Sequence, residues 1–191
     1  MQYFRRLKKN VDVTPLNAEI ARRPGIWQEQ TGRQRIAVQR EALAIPIRGI
    51  RKSCIRGRKR RDVHESRFTT LARELPVAVA FIREFADEMN AELARAKIVS
   101  LPPGGKVYEH CDRGEYYADR DRFHLVLDSA GSWMRCADEE VRMRTGELWW
   151  FDNKRPHEAR NDSDRDRVHL IFDLKPRRGA VGDLARPEGE L

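Results

Sequence analysis

The sequence predicts a mainly β protein with flanking helices, and three observations carry that expectation. From residue 93 to residue 174 the chain breaks into short apolar runs separated by turn signals. One amphipathic helix, the strongest in the sequence, precedes those runs. No apolar stretch approaches the 18 residues that would span a bilayer. Many short strands at roughly even spacing argue for a sandwich or barrel rather than alternating strands and helices.

Taken in chain order, Thr14-Pro15 reads as an N-cap followed by proline at the first helical position, opening a short helix that stops near Gly25. Residues Ile36 to Ile47 read as one or two extended segments, with Pro46 marking an edge or a bend. Pro76 to Asn90 is the main helix, because Val77, Phe81, Phe85 and Met89 recur at four-residue spacing and form an apolar face. Expected strands follow at 93–101, 107–112, 121–128, 132–136, 140–144, 147–151, 157–161 and 166–174. Pro102-Pro103-Gly104-Gly105, Ala130-Gly131, Thr145-Gly146 and Asn153-Lys154-Arg155-Pro156 punctuate them. A jelly roll of the cupin sort, with a metal in its mouth, suits this pattern. Trp149, Trp150 and Phe151 are expected to pack the strand faces. The tail from residue 176 to 191 mixes glycine, proline and charge and is expected to be loose.

A length of 191 residues favours one domain with a core that needs no disulfides. The three cysteines, Cys54, Cys111 and Cys136, lack CxxC spacing, so a disulfide framework is not expected and a reducing cytoplasm is. The first ten residues carry charge but no apolar core, unlike a secretory signal. The net charge of +8 is uneven: residues 1–62 hold 17 Lys/Arg against 5 Asp/Glu, a net +12, and the remainder is net −4. The densest patch is Arg56-Gly57-Arg58-Lys59-Arg60-Arg61. Such a patch attracts anions, yet no aromatic residues interleave with it, so nucleic-acid stacking has little support and a solvated loop is the plainer reading.

Chemistry concentrates in His110-Cys111-Asp112 and in His157. On a strand, His110 and Asp112 at i and i+2 point the same way, with Cys111 facing away. A second imidazole beside them gives two histidines and one carboxylate on one side of a cation. That facial arrangement leaves coordination positions open and suits non-haem Fe(II). Arg167, His169 and Ile171 share a face of the last apolar strand, and a guanidinium turned inward there needs an anion. Arg122 and His124 also lie at i and i+2, placed either to contact the same anion or, for Arg122, to pair with a nearby aspartate. His169 reads as a packed strand histidine, and His64 is assigned no role.

These residues carry a resemblance. Leu101-Pro102-Pro103-Gly104-Gly105 leading to His110, Arg122-Phe123-His124-Leu125 and Met134-Arg135-Cys136-Ala137 are followed by Gly146-Glu147-Leu148-Trp149-Trp150-Phe151-Asp152 before His157. Asn161 and Arg167-Val168-His169-Leu170-Ile171-Phe172-Asp173 complete a pattern that resembles the aspartyl/asparaginyl β-hydroxylase family of Fe(II)/2-oxoglutarate dioxygenases. The likeness runs from Val99 to Leu174. It implies a double-stranded β-helix over residues 93–175, buttressed by a helical and extended segment over 1–92, the two forming one domain of residues 1–175. It implies His110, Asp112 and His157 as iron ligands, Arg167 on the distal carboxylate of 2-oxoglutarate, and Arg122 and His124 near that cosubstrate. The activity implied is hydroxylation of a C–H bond with O2, giving succinate and CO2. The first substrate reading is the β-carbon of an Asp or Asn residue in a peptide or protein. The second is a free amino acid such as proline, or another small metabolite, because possession of Asp112 is similar to the bacterial branch. A metal-retaining module without catalysis is the rival from another class.

Overall fold

The computed structural model describes residues 1–29 and 31–177; the expected loose tail, apart from its first two residues, lies outside the described residues. Its strands are β1 (Phe4–Lys8), β2 (Leu43–Gly49), β3 (Arg67–Phe68), β4 (Ala91–Leu101), β5 (Lys106–His110), β6 (Asp121–Asp128), β7 (Ala130–Cys136), β8 (Glu139–Arg144), β9 (Leu148–Phe151), β10 (His157–Arg160) and β11 (Arg167–Pro176). The helices are α1 (Thr14–Ala21), α2 (Pro76–Glu88) and α3 (Glu115–Ala118), joined by several short 3-10 turns. Seven strands form a major sheet in the order β1-β9-β6-β11-β4-β2-β3, and four form a minor sheet in the order β5-β10-β7-β8. All the pairings are antiparallel. The fold is a double-stranded β-helix, a jelly roll.

Side-chain alternation sorts the major sheet into two faces. Ile98 of β4, Phe123 and Leu125 of β6, Trp150 of β9, and Leu170 and Phe172 of β11 are buried with helix α2 in one core. Their neighbours Lys97, His124, Phe151, Arg167 and Ile171 line a cavity between the sheets. Both faces of these strands are therefore covered, which explains their near-continuous apolar runs. The helix-side core centres on Phe85, Phe123 and Phe172, whose ring centroids lie 5.4–5.7 Å apart. Burying one such phenylalanine stabilises the fold by roughly 1.5–3 kcal/mol. A second cluster, including Phe4, Met134, Met143, Trp149 and Phe151, closes the far end of the sandwich.

The expected strands of the carboxyl-terminal half all form, with ends shifted by at most two residues, the shift at His110 bearing on the site. The amino-terminal half differs more. Val13, not Thr14, is the N-cap of α1, and the Asp12 carboxylate accepts the Thr14 N–H at 3.0 Å. That helix ends at Ala21, and a separate 3-10 turn over Pro24–Gln28 takes the chain past Gly25. Ile36 begins no strand; a 3-10 turn at Ala37–Gln39 precedes β2, which bulges beyond Pro46. On α2 the buried stripe is Ala78, Ile82, Phe85 and Ala86, with Val77, Phe81 and Met89 packed along its margin. Of the expected face, Phe85 alone lies in the fully buried stripe. Strand β1 had no expectation attached to it, yet it pairs with β9. The segment read as a buttress thus supplies three strands of the major sheet. Among the described residues, no helix is long and apolar enough to cross a membrane.

Candidate metal and cosubstrate site

The minor sheet supplies the two histidines as direct neighbours: in the β10–β5 pairing His157 stands opposite His110. Their ring centroids are 4.3 Å apart. The Nδ1 of His110 lies 2.7 Å from the Tyr108 carbonyl oxygen and that of His157 lies 2.9 Å from the Arg155 carbonyl oxygen. With Nδ1–H donating to those carbonyls, each Nε2 presents a lone pair, that of His110 lying 3.5 Å from Gln39 Nε2.

Asp112 reaches the pair by another route than strand alternation. Strand β5 ends at His110, and Asp112 lies in the following loop, where its N–H donates to the Asn153 carbonyl at 3.0 Å. Its Oδ2 accepts from Asn153 Nδ2 at 2.9 Å and from Arg122 Nη1. Oδ1 makes no hydrogen bond among the described residues. One ligand atom from each of His110, Asp112 and His157 falls within 4.8 Å of the other two. Two imidazoles and a carboxylate on one side of a point form a donor set that fits a divalent first-row metal and leaves the opposite side open. Burial opposes ionisation of Asp112, but the Arg122 charge outweighs it, aided by His157 and the Asn153 bond, and holds the carboxyl at about 2. Burial pushes the His157 imidazole down to about 4. Both groups therefore stand in their metal-binding protonation states near neutral pH.

Arg122 on β6 faces the cavity, but its guanidinium is occupied. Beyond the Asp112 contact, Nε donates to Asp173 Oδ1 at 2.8 Å and Nη2 to Asp173 Oδ2 at 3.1 Å. Asp173 also accepts the Tyr116 hydroxyl at 3.0 Å, and that hydroxyl in turn accepts the Arg95 N–H at 2.9 Å. The contact Arg122 makes is thus the salt bridge to aspartate. His124, also on β6, lies with its Nδ1 3.3 Å from Nδ1 of His169. Burial drives both imidazoles well below 6.5, reinforced at His124 by His169 and Arg167 and at His169 by Arg167.

Arg167 presents the opposite picture. It is 3% exposed, and its Nε and Nη2 are buried without a hydrogen-bond partner. Burial, with repulsion from Arg33, lowers its affinity for the proton. Arg167 lines the same cavity as His110, His124 and His157, walled by apolar Val99, Met134, Phe151 and Ile171. An orphaned guanidinium in such a cavity is chemically matched to a carboxylate, such as the distal one of a keto acid. Sequence reasoning missed Arg33 and Lys97, which line this cavity too, and the supporting Asn153 and Asp173. Asp173 stood within the motif of the last strand and Asn153 within a turn, and each offered a signal. Arg33 lies in an irregular basic segment and Lys97 in an ordinary strand, and neither offered one.

The jelly roll thus carries a two-histidine, one-carboxylate cluster, a donor set suited to a divalent metal, beside a cationic cavity. The family model described as Aspartyl/Asparaginyl beta-hydroxylase matches residues 58–176, and the chain belongs to that family. An L-proline cis-4-hydroxylase of Rhizobium meliloti (strain 1021) is 28% identical over 108 residues, covering 56% of this chain and 38% of that protein. The chain therefore matches well under half the length of that relative. Among solved structures, a prolyl hydroxylase from Trichoplax adhaerens, in complex with a peptide fragment of the hypoxia inducible factor oxygen degradation domain, superposes with a TM-score of 0.60 at 12% identity, covering 92% of this chain and 84% of that one. HygX from Streptomyces hygroscopicus, with nickel and 2-oxoglutarate bound, gives 0.59 at 12% identity over 100% of this chain and 92% of its own. A Pseudomonas putida prolyl-4-hydroxylase gives 0.55 at 18% identity, covering 93% and 94%. At these identities the likeness is one of fold.

Proposed function

We propose that this protein is an Fe(II)- and 2-oxoglutarate-dependent dioxygenase that hydroxylates a C–H bond of an amino acid or of an amino-acid residue in a peptide. The observation that carries the reading is the convergence of His110, Asp112 and His157 within 4.8 Å, beside the unpartnered buried guanidinium of Arg167. His110 and His157 bind the metal through Nε2, and Asp112 binds through the carboxylate that Arg122 and Asn153 hold in place. Fe(II) bound there, with 2-oxoglutarate and O2, supplies oxidative decarboxylation to succinate and CO2 coupled to insertion of one oxygen atom into the substrate. Arg167 takes the distal carboxylate, which fixes the orientation of the keto acid, and His124 lies beside it. Met134, Phe151 and Ile171 keep water from that contact and so strengthen it.

The first substrate reading is the β-carbon of an Asp or Asn residue. The family to which the chain belongs supports it. A free amino acid such as proline is the second, and the likeness to an L-proline cis-4-hydroxylase favours it. The protein with Fe(II), ascorbate and 2-oxoglutarate is expected to form succinate. A peptide pool or an amino-acid panel is expected to show, by mass spectrometry, a product gaining one oxygen. His110→Ala and His157→Ala are each expected to abolish succinate while the circular dichroism spectrum is retained. Turnover surviving either substitution would remove that histidine from the ligand set, and a wild type that forms no succinate would be a binding module.

A further inference from the structure

A second cavity, of about 440 Å³, adjoins the one just described and shares Arg33, Lys97 and Arg122 with it. Six cationic side chains line this larger space against two carboxylates, Asp112 and Asp173. Both carboxylates are bound by Arg122. The other five cations have no carboxylate partner among the described residues. The side chains of Arg33 and Lys97 make no hydrogen bond among the described residues, and the Nε of Arg33 is buried. Arg95 lies over the Tyr116 ring at 3.5 Å and donates to the carbonyls of Arg60 and Val63, and its Nε is likewise buried and unbonded. Arg48 donates only to the Leu93 carbonyl, at 3.2 Å. Arg60 is exposed and makes no side-chain bond.

The cations form two groups. Arg33 and Lys97 face both cavities: burial and the Arg122 charge push Arg33 down to about 10, while burial and the charges of Arg33 and Arg122 push Lys97 well down. Arg48, Arg60 and Arg95 line only the larger cavity. Arg60 comes from the basic run at residues 56–61, and close packing holds the end of that run against the loop after Asp112. Gly114 has φ +112°, and a Cβ there would lie 2.7 Å from Asp62 Oδ1 and 2.8 Å from the Arg61 carbonyl. Crowded like charges without anions are unfavourable, and the arrangement is compensated only when anions arrive. A single 2-oxoglutarate does not suffice, since its two carboxylates serve the metal and Arg167.

We infer that the larger cavity is the substrate site and that it selects a small molecule bearing two anionic groups, one seated on Arg33 and Lys97 near the metal and the other on the Arg48, Arg60 and Arg95 wall. The inference rests on the dioxygenase reading for where the substrate meets the metal. Carboxylates and phosphate monoesters share the required chemistry.

Calorimetric titration of the protein loaded with Mn(II) and saturating 2-oxoglutarate tests it with two matched pairs: L-aspartate against L-asparagine, and O-phospho-L-serine against L-serine. At least one anionic member is expected to bind about tenfold or more tightly than its neutral partner, a difference of about 1.4 kcal/mol. Which pair shows the larger ratio separates carboxylate from phosphate. Arg60→Gln, at an exposed side chain whose loss leaves no group unpaired, is expected to shrink that ratio several-fold, and Arg48→Gln/Arg60→Gln to shrink it further. Equal affinities within both pairs overturn the inference, as does a ratio that survives the double substitution. Succinate formation by the iron-loaded wild type is read separately. Charge selectivity without succinate defeats the dioxygenase reading alone, whereas succinate without charge selectivity defeats this one alone.

Discussion

Two buried arginines on adjacent strands of the major sheet face the same space between the sheets, and their surroundings could hardly differ more. Arg122 of β6 is paired, its guanidinium shared between Asp112 and Asp173. Arg167 of β11 keeps Nε and Nη2 unbonded in an equally buried position. The contrast separates a charge neutralised within the fold from one left uncompensated. Around Arg122, a carboxylate with a free Oδ1 is clamped before any metal arrives. Around Arg167, the desolvation of a cation is left uncompensated, and under the proposed function the distal carboxylate of 2-oxoglutarate would complete the pair.

Removing each guanidinium sharpens that comparison. Arg122→Leu strands two carboxylates in a buried place, so a loss of about 3–5 kcal/mol of stability is expected in urea denaturation of the metal-free protein. Arg167→Leu leaves no buried charge unpaired, so its stability is expected to equal or exceed that of the wild type. Its affinity for 2-oxoglutarate should fall by about 2–3 kcal/mol, roughly 30- to 150-fold, in direct binding measurements. Should both variants lose stability equally, the distinction between the two arginines is void.

The pH dependence breaks the comparison along another line. The Asp112 carboxyl is held at about 2, below its ordinary value of 3.8. A depressed carboxyl contributes stability that is present above the unfolded value and lost as pH falls through the folded one. Between about pH 4 and pH 2 the metal-free wild type should therefore lose about 2 kcal/mol that Asp112→Asn does not lose. Parallel stability curves for the two proteins would show that Arg122 does not hold that charge. Asn153→Ala gives the smallest effect. It removes one neutral bond to Oδ2 while Arg122 remains, and about tenfold weaker metal binding is expected by competition with a chelator, with little change in the fold.

Legibility of the molecule follows the same division. The carboxyl-terminal strands were readable because their turn residues and side-chain alternation are local properties. The amino-terminal segment was harder. Phe4–Lys8 is short and carries three cations, and it is a strand because β9 offers it an edge. Thr14 lost its expected capping role to the Asp12 carboxylate two residues earlier. Of the site, His110 and Asp112 stood out by their spacing, yet strand alternation was not the reason they converge. Asp112 leaves the strand and is returned toward the histidines by Asn153 and Arg122.

By itself the sequence determined the turn-punctuated jelly roll, the alternation that turns Arg122, His124 and Arg167 inward, and the choice of His110, Asp112 and His157 as the cluster that could hold a metal. Each of these depends on spacing along a strand or on the chemistry of single residues. Only the tertiary structure decided which arginine is neutralised, which is left open, and that Arg33, Lys97 and Arg60 share a cavity with the metal site. Those outcomes depend on distances between residues far apart in the chain, and desolvation and ion pairing respond to such distances alone.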